Sequence, residues 1–172
     1  MLNADLKQQL KQLLELMEGD VEFIASLGSD DKSKELKDLL DEIADMSARI
    51  TVTEKDLKRT PSFSVNRPGE ETGVTFAGIP LGHEFNSLVL AILQVSGRAP
   101  KEKQSVIDQI KGLEGPFHFE TFVSLTCQKC PDVVQALNLM SVINPNITHT
   151  MIDGAVFREE SEDIMAVPAV FL

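Results

Sequence analysis

The sequence has no tryptophan and no tyrosine, and cysteine occurs only twice among its 172 residues. Two cysteines cannot build a disulfide scaffold, so the fold must rest on packed apolar cores. Positive charge is scarce, with 16 Lys and Arg against 27 Asp and Glu and a net charge of -11. Nucleic acid is therefore not expected as a partner, because phosphate binding needs clustered Lys and Arg. Acidity by itself names no partner; it gives a solvated surface that keeps a protein soluble. Long apolar runs are also missing. Leu2, Leu6, Leu10, Leu13, Leu14 and Met17 share one face of residues 1–18, but Asp5, Lys7, Lys11, Glu15 and Glu18 interrupt them. That stretch holds neither a signal-peptide core nor a membrane span, and the reading is a cytoplasmic protein with no membrane partner. Metal ligands are few. One Cys-x-x-Cys supplies two of the four ligands of tetrahedral zinc, and only His83, His118 and His149 remain as nitrogen donors, with no His-x-x-His. No metal is expected. No glycine-rich dinucleotide fingerprint is present either.

What remains is ordinary globular composition, 42% hydrophobic and 25% charged. A helix is predicted over residues 3–18, then a strand over 21–27. Gly28-Ser29-Asp30-Asp31 has turn and N-cap chemistry ahead of a helix with Leu36, Leu39, Leu40 and Ile43 on one stripe. Short strands follow at 49–53 and 61–65, with 73–78 as the hairpin partner of the second. His83 to Val95 is too apolar for an exposed helix and is predicted to be buried between layers. After the break at Ser96-Gly97-Arg98-Ala99-Pro100 the pattern starts again: helix 101–113, strand 117–125, helix 131–143, strand 147–152, a short helix near 156–164 and a strand opening at Pro168.

Placing Val21 over Phe117 puts Leu10 over Val106 and Leu14 over Ile110 without a gap. The chain therefore reads as α/β, two copies of one unit, residues 1–97 and 98–172. Strands opening with Pro61 and Pro168 correspond if the short second-copy helix is an insertion. The first copy then continues into a hairpin strand and a buried helix for which the second has no residues. The expectation is a second unit cut short, as in a fragment.

Thr126-Cys127-Gln128-Lys129-Cys130-Pro131 lies where a strand hands over to a helix. A helix N-terminus offers free N–H groups and a positive dipole end, which favour the reactive thiolate. Strand, Cys-x-x-Cys, helix and a strand-opening proline some forty residues on resemble the thioredoxin fold, Val167-Pro168 matching its cis-proline dipeptide. In such a site Cys127, the more exposed, attacks a disulfide and Cys130 resolves the mixed disulfide. Lys129 is a candidate for favouring the thiolate, Thr126 for a hydrogen bond to sulfur; a solvated lysine and a turn residue are the plain alternatives.

Over its whole length the chain resembles the N-terminal domain of the flavoprotein component of bacterial alkyl hydroperoxide reductase, two fused thioredoxin folds with only the second redox-active. The resemblance is carried by Leu6-Lys7-Gln8-Gln9-Leu10, by 76–85 (Phe76 to Phe85), by 127–138 and by 167–171. It implies a thiol-disulfide oxidoreductase that takes electrons from a reductase module holding FAD and NADH or NADPH and passes them to a peroxiredoxin disulfide. Those cofactors are expected outside this chain, and a homodimer is implied. The same resemblance places Glu84 near the redox pair, able to manage a cysteine proton. From sequence alone, a first-turn carboxylate stabilised by the helix dipole explains Glu84 equally well. Asp31 and Lys34 fall at the cysteine positions of the first copy, which therefore cannot exchange disulfides. The absence of tryptophan departs from the motif of thioredoxins themselves. The rival from another class is a non-enzymatic interaction module with a passive cysteine pair.

Overall fold

In the computed structural model, which describes residues 2–172, the turn signals fall between regular elements. The first half runs α1 (Ala4–Leu14), β1 (Val21–Ser26), α2 (Asp31–Asp45), β2 (Ile50–Glu54), β3 (Ser62–Arg67), β4 (Glu70–Ala77), a single 3-10 turn (Gly82–Glu84) and α3 (Phe85–Val95). The second runs α4 (Gln104–Lys111), β5 (Phe117–Val123), α5 (Cys130–Ile143), β6 (Ile147–Asp153) and β7 (Ala169–Phe171). These strands join one sheet in the order β2-β1-β3-β4-β6-β5-β7. The halves meet through β4 and β6, which pair in parallel from Val74↔His149 to Ala77↔Ile152. Two repeats therefore share a continuous ladder.

The period-two alternation of the strands decides which face is covered. Val21, Phe23 and Ala25 of β1, Val74 and Phe76 of β4, and Ile147, His149 and Met151 of β6 are fully buried. Register carries them onto one face, Phe23 opposite Val65, Val65 opposite Val74, and Val74 opposite His149. There α3 packs on β3 and α5, while α5 packs on β4 and β6. Phe63 anchors this layer, edge-on to Phe23 at 5.5 Å and stacked on Phe76 at 5.4 Å. Each such ring contributes about 1.5–3 kcal/mol by leaving water. As its composition predicts, α3 is buried along most of its length, Leu88, Ile92 and Val95 completely.

The short helix expected near 156–164 does not form. Residues 154–163 are a succession of turns, held by isolated bonds such as Phe157 N–H to the Asp153 carbonyl and Ile164 N–H to the Ser161 carbonyl. In this acidic stretch Phe157 and Ile164 reach the sheet, where they pack on Ala77, Phe122 and Ile152. Two anchors hold a strap but give no apolar helix stripe. The first helix stops at Leu14, short of the expected residue 18. Proline junctions open both β3 and β7 as cis peptides, Thr60–Pro61 and Val167–Pro168, and Gly115–Pro116 ahead of β5 is a third that the repeat pattern does not single out. No helix among the described residues is long and apolar enough to cross a membrane.

Candidate functional site

β5 ends at Val123, and after the connection 124–129 α5 starts at Cys130 with Pro131 in its first turn. Proline costs nothing there, because a first-turn N–H has no intrahelical acceptor. Cys127 and Cys130 are joined as a disulfide with their Cα atoms 5.5 Å apart. The two sulfurs differ in access: Cys130 is fully buried within the core, whereas Cys127 is half-buried at the rim. The Cys130 backbone N–H points at Cys127 Sγ, 3.2 Å away. That donor is in place to stabilise a Cys127 thiolate once the disulfide opens.

Antiparallel pairing of β7 with β5, Ala169 opposite Phe122, brings the cis Val167–Pro168 dipeptide to the cysteines. The Val167 carbonyl oxygen lies 3.9 Å from Cys127 Sγ. Thr126 is exposed and shares a hydroxyl contact of 3.0 Å with Ser124. Lys129 is exposed just ahead of α5.

The 3-10 turn from the first half closes over this site. His83 N–H donates to the Leu125 carbonyl at 3.0 Å, two residues before Cys127, and the turn packs against α5. Gly82 makes the approach possible: its φ is +57°, and a Cβ there would sit 2.8 Å from the Leu125 carbonyl oxygen. Glu84 follows, with no exposed surface. Burial pushes its carboxyl above the usual range, opposed by the hydrogen bond that Ser87 Oγ donates to Oε1 at 2.7 Å. Its Oε2 has no partner among the described residues. Glu84 thus stands at the start of α3 as a buried acid.

Three buried polar groups of the fold have no signature in local sequence. His149, fully buried, donates from Nδ1 to Asn138 Oδ1 and accepts at Nε2 from the Thr121 hydroxyl, each at 2.7 Å. It is neutral, its pKa pushed down to about 3 by burial, and it ties α5 to the sheet. Asp153, buried at the end of β6, is pushed up by burial against the Ala155 N–H and the charge of Lys32. Arg59, 9% exposed, grips Glu160 of the strap through Nε and Nη2 and Glu120 of β5 through Nη2, at 2.8–3.1 Å. His118 is exposed and bonded to Thr148. No group of three or more His, Cys, Asp and Glu among the described residues could hold a metal.

The first half has the same frame without the chemistry. Cis Thr60–Pro61 faces the start of α2, and Thr60 Oγ1 meets Ser26 Oγ at 2.6 Å. Here the buried side chain of the first turn is Ser33, 1% exposed, while Asp31 and Lys34 are exposed. Its hydroxyl donates to Asp30 Oδ1 at 2.6 Å and accepts from the Gly28 N–H at 2.9 Å. Both bonds tie the serine into the turn ahead of α2.

No family model matches the chain. Over all 172 residues it is 93% identical to the alkyl hydroperoxide reductase AhpF of Staphylococcus epidermidis, spanning 34% of that protein. Among solved structures, the NTD_N/C domain of alkylhydroperoxide reductase AhpF from Enterococcus faecalis superimposes with a TM-score of 0.91 at 33% identity, over 99% of this chain and 90% of that one. The chain belongs to the AhpF N-terminal domain family. Tandem thioredoxin-like architecture is shared more widely: a protein disulfide oxidoreductase from Aeropyrum pernix matches with a TM-score of 0.85 at 19% identity, over 98% of this chain and 83% of that one, which speaks for the fold alone. Within the AhpF family frame, the cysteine pair lies at the start of α5, and the sequence has no other cysteine. No Gly-x-Gly-x-x-Gly motif occurs in the sequence.

Proposed function

We propose that this chain is a dithiol-disulfide carrier, residues 98–172 forming the redox-active unit and 1–97 the silent one. The observation that carries it is a disulfide at a helix start, one sulfur buried and the other reachable, facing a cis-proline dipeptide. In the reduced state the Cys127 thiolate attacks one sulfur of a partner disulfide and displaces the other as thiolate. Cys130, deprotonated, then attacks Cys127 Sγ and releases the partner's second sulfur. Two electrons leave with the partner's dithiol, and the 127–130 disulfide re-forms. Glu84 takes and returns the Cys130 proton; its full burial and its Oε2, unpartnered among the described residues, support that role. Thr126, Lys129, Val167 and Pro168 form the rim that a partner meets.

On this reading the electrons come from FAD and NADH or NADPH held by a reductase module outside this stretch, and go to a peroxiredoxin, in a cytoplasmic homodimer. Reduced protein mixed with a disulfide-bonded peroxiredoxin tests it. Thiol release on the peroxiredoxin, lost in Cys127→Ser, supports the reading; no release from the unmodified chain leaves the cysteines a passive pair.

A further inference from the structure

We propose that Ser87 and Gln135 are positioning residues for Glu84, forming a relay from α5 that commits one carboxylate oxygen and leaves the other free for the dithiol's proton. This rests on the reading of Glu84 as the group that handles that proton. Gln135 Nε2 donates to Ser87 Oγ at 3.2 Å, and Ser87 Oγ donates to Glu84 Oε1 at 2.7 Å. A hydroxyl has one hydrogen and two lone pairs. With a lone pair taken by the Gln135 amide, the hydrogen goes to Glu84, so the direction of the relay is set. Oε1 is thereby occupied and Oε2 is the oxygen left without a partner among the described residues. All three side chains converge on the packed contact between α3, the 3-10 turn and α5, with Ser87 1% and Glu84 0% exposed.

The relay also balances an electrostatic conflict. Burial favours the protonated acid, and a donated hydrogen bond favours the carboxylate. Few charges enter this balance. From Phe85 to Val95, α3 carries no ionisable side chain. Along α5 the ionisable groups are Cys130 and exposed Asp132, and the connection before it brings Cys127 and exposed Lys129. His83, on the turn itself, is exposed. Ser87 is therefore the principal polar influence on the acid, and Gln135 acts through it.

The test is the pH profile of thiol-disulfide exchange between the reduced protein and a small aromatic disulfide. Profiles are compared for wild type, Glu84→Gln, Ser87→Ala, Gln135→Leu and the Glu84→Gln/Ser87→Ala double variant. Loss of a hydrogen bond to a charged group moves a titration by about one pH unit or more, an effect of about tenfold in rate below the limb. Ser87→Ala should shift the limb that Glu84→Gln abolishes upward by that amount, Gln135→Leu should shift it the same way by less, and the double variant should match Glu84→Gln alone. A limb abolished by Glu84→Gln but unmoved by Ser87→Ala overturns the relay and leaves the role of Glu84 standing. A limb that survives Glu84→Gln overturns both. An equal slowing by Ser87→Ala with and without Glu84 means that Ser87 only packs, and overturns the relay.

Discussion

A disulfide partner approaching this protein meets Cys127 and not Cys130, because only the first has exposed surface. Cys130→Ser should therefore leave a mixed disulfide on Cys127 that no second thiol can resolve, seen as a stable covalent adduct by intact mass. Cys127→Ser should form none. His149 makes a different prediction, about stability. Its pKa is about 3 in the fold against an ordinary 6.5, so the unfolded chain binds a proton below pH 6.5 that the folded chain refuses. The stability associated with neutral His149 is complete above pH 6.5 and falls as pH drops toward 3. The full window is worth on the order of 5 kcal/mol. His149→Gln removes the titration at the cost of about 1–3 kcal/mol at neutral pH from imperfect hydrogen bonding. Urea unfolding at pH 7 and pH 4.5 should show wild type losing roughly 2–3 kcal/mol more than this variant over the interval.

The 3-10 turn and the strap are held by few contacts, and each has a residue on which its placement depends. Gly82→Ala puts a methyl group against the Leu125 carbonyl at a positive φ, costing about 1–2 kcal/mol in backbone strain with the clash added. The expected result is a lower melting temperature together with slower exchange, since the turn carries Glu84 to α5. Arg59→Met should free the strap. Glu160 and Glu120 lose their shared cation, about 1.5–3 kcal/mol for charge-assisted bonds before discounting for side chains that are 39% and 31% exposed. Limited proteolysis should then cut within 154–164 faster than in wild type, with α5 and its disulfide still protected.

A single ladder through β4 and β6 makes the two halves one cooperative body rather than two beads on a linker. Heating should give one transition, with circular dichroism and amide exchange in β1 and β5 losing protection together. Separate midpoints for the two strands would contradict this. Gly73 lies at the join with φ +81°, where a Cβ would meet the Ile147 carbonyl oxygen at 3.0 Å and Thr148 at 3.1 Å. Gly73→Val should therefore loosen both halves at once.

Much of the site is written in local chemistry. Cys127 and Cys130 at a strand-to-helix junction, Pro131 in the first turn, Pro168 opening a strand and the apolar excess of 85–95 all act within a few residues of themselves, so one dimension suffices to read them. Repetition of the pattern also marks out the two halves of the sheet. The stretch 156–164 is misread as a helix because the seven-residue spacing of Phe157 and Ile164 is visible in a sequence, whereas the turns by which both reach Ala77, Phe122 and Ile152 are set by the sheet they pack on. Pairing across long separations is beyond local reading. Ser87 with Gln135, Arg59 with Glu160, and His149 with Thr121 and Asn138 are polar residues that look solvated until the register of β4 on β6 and the seat of α5 bury them. That Glu84 is a fully buried acid is likewise not legible in the sequence. Desolvation raises its pKa, and desolvation is a property of everything packed around a group, which only the folded chain decides.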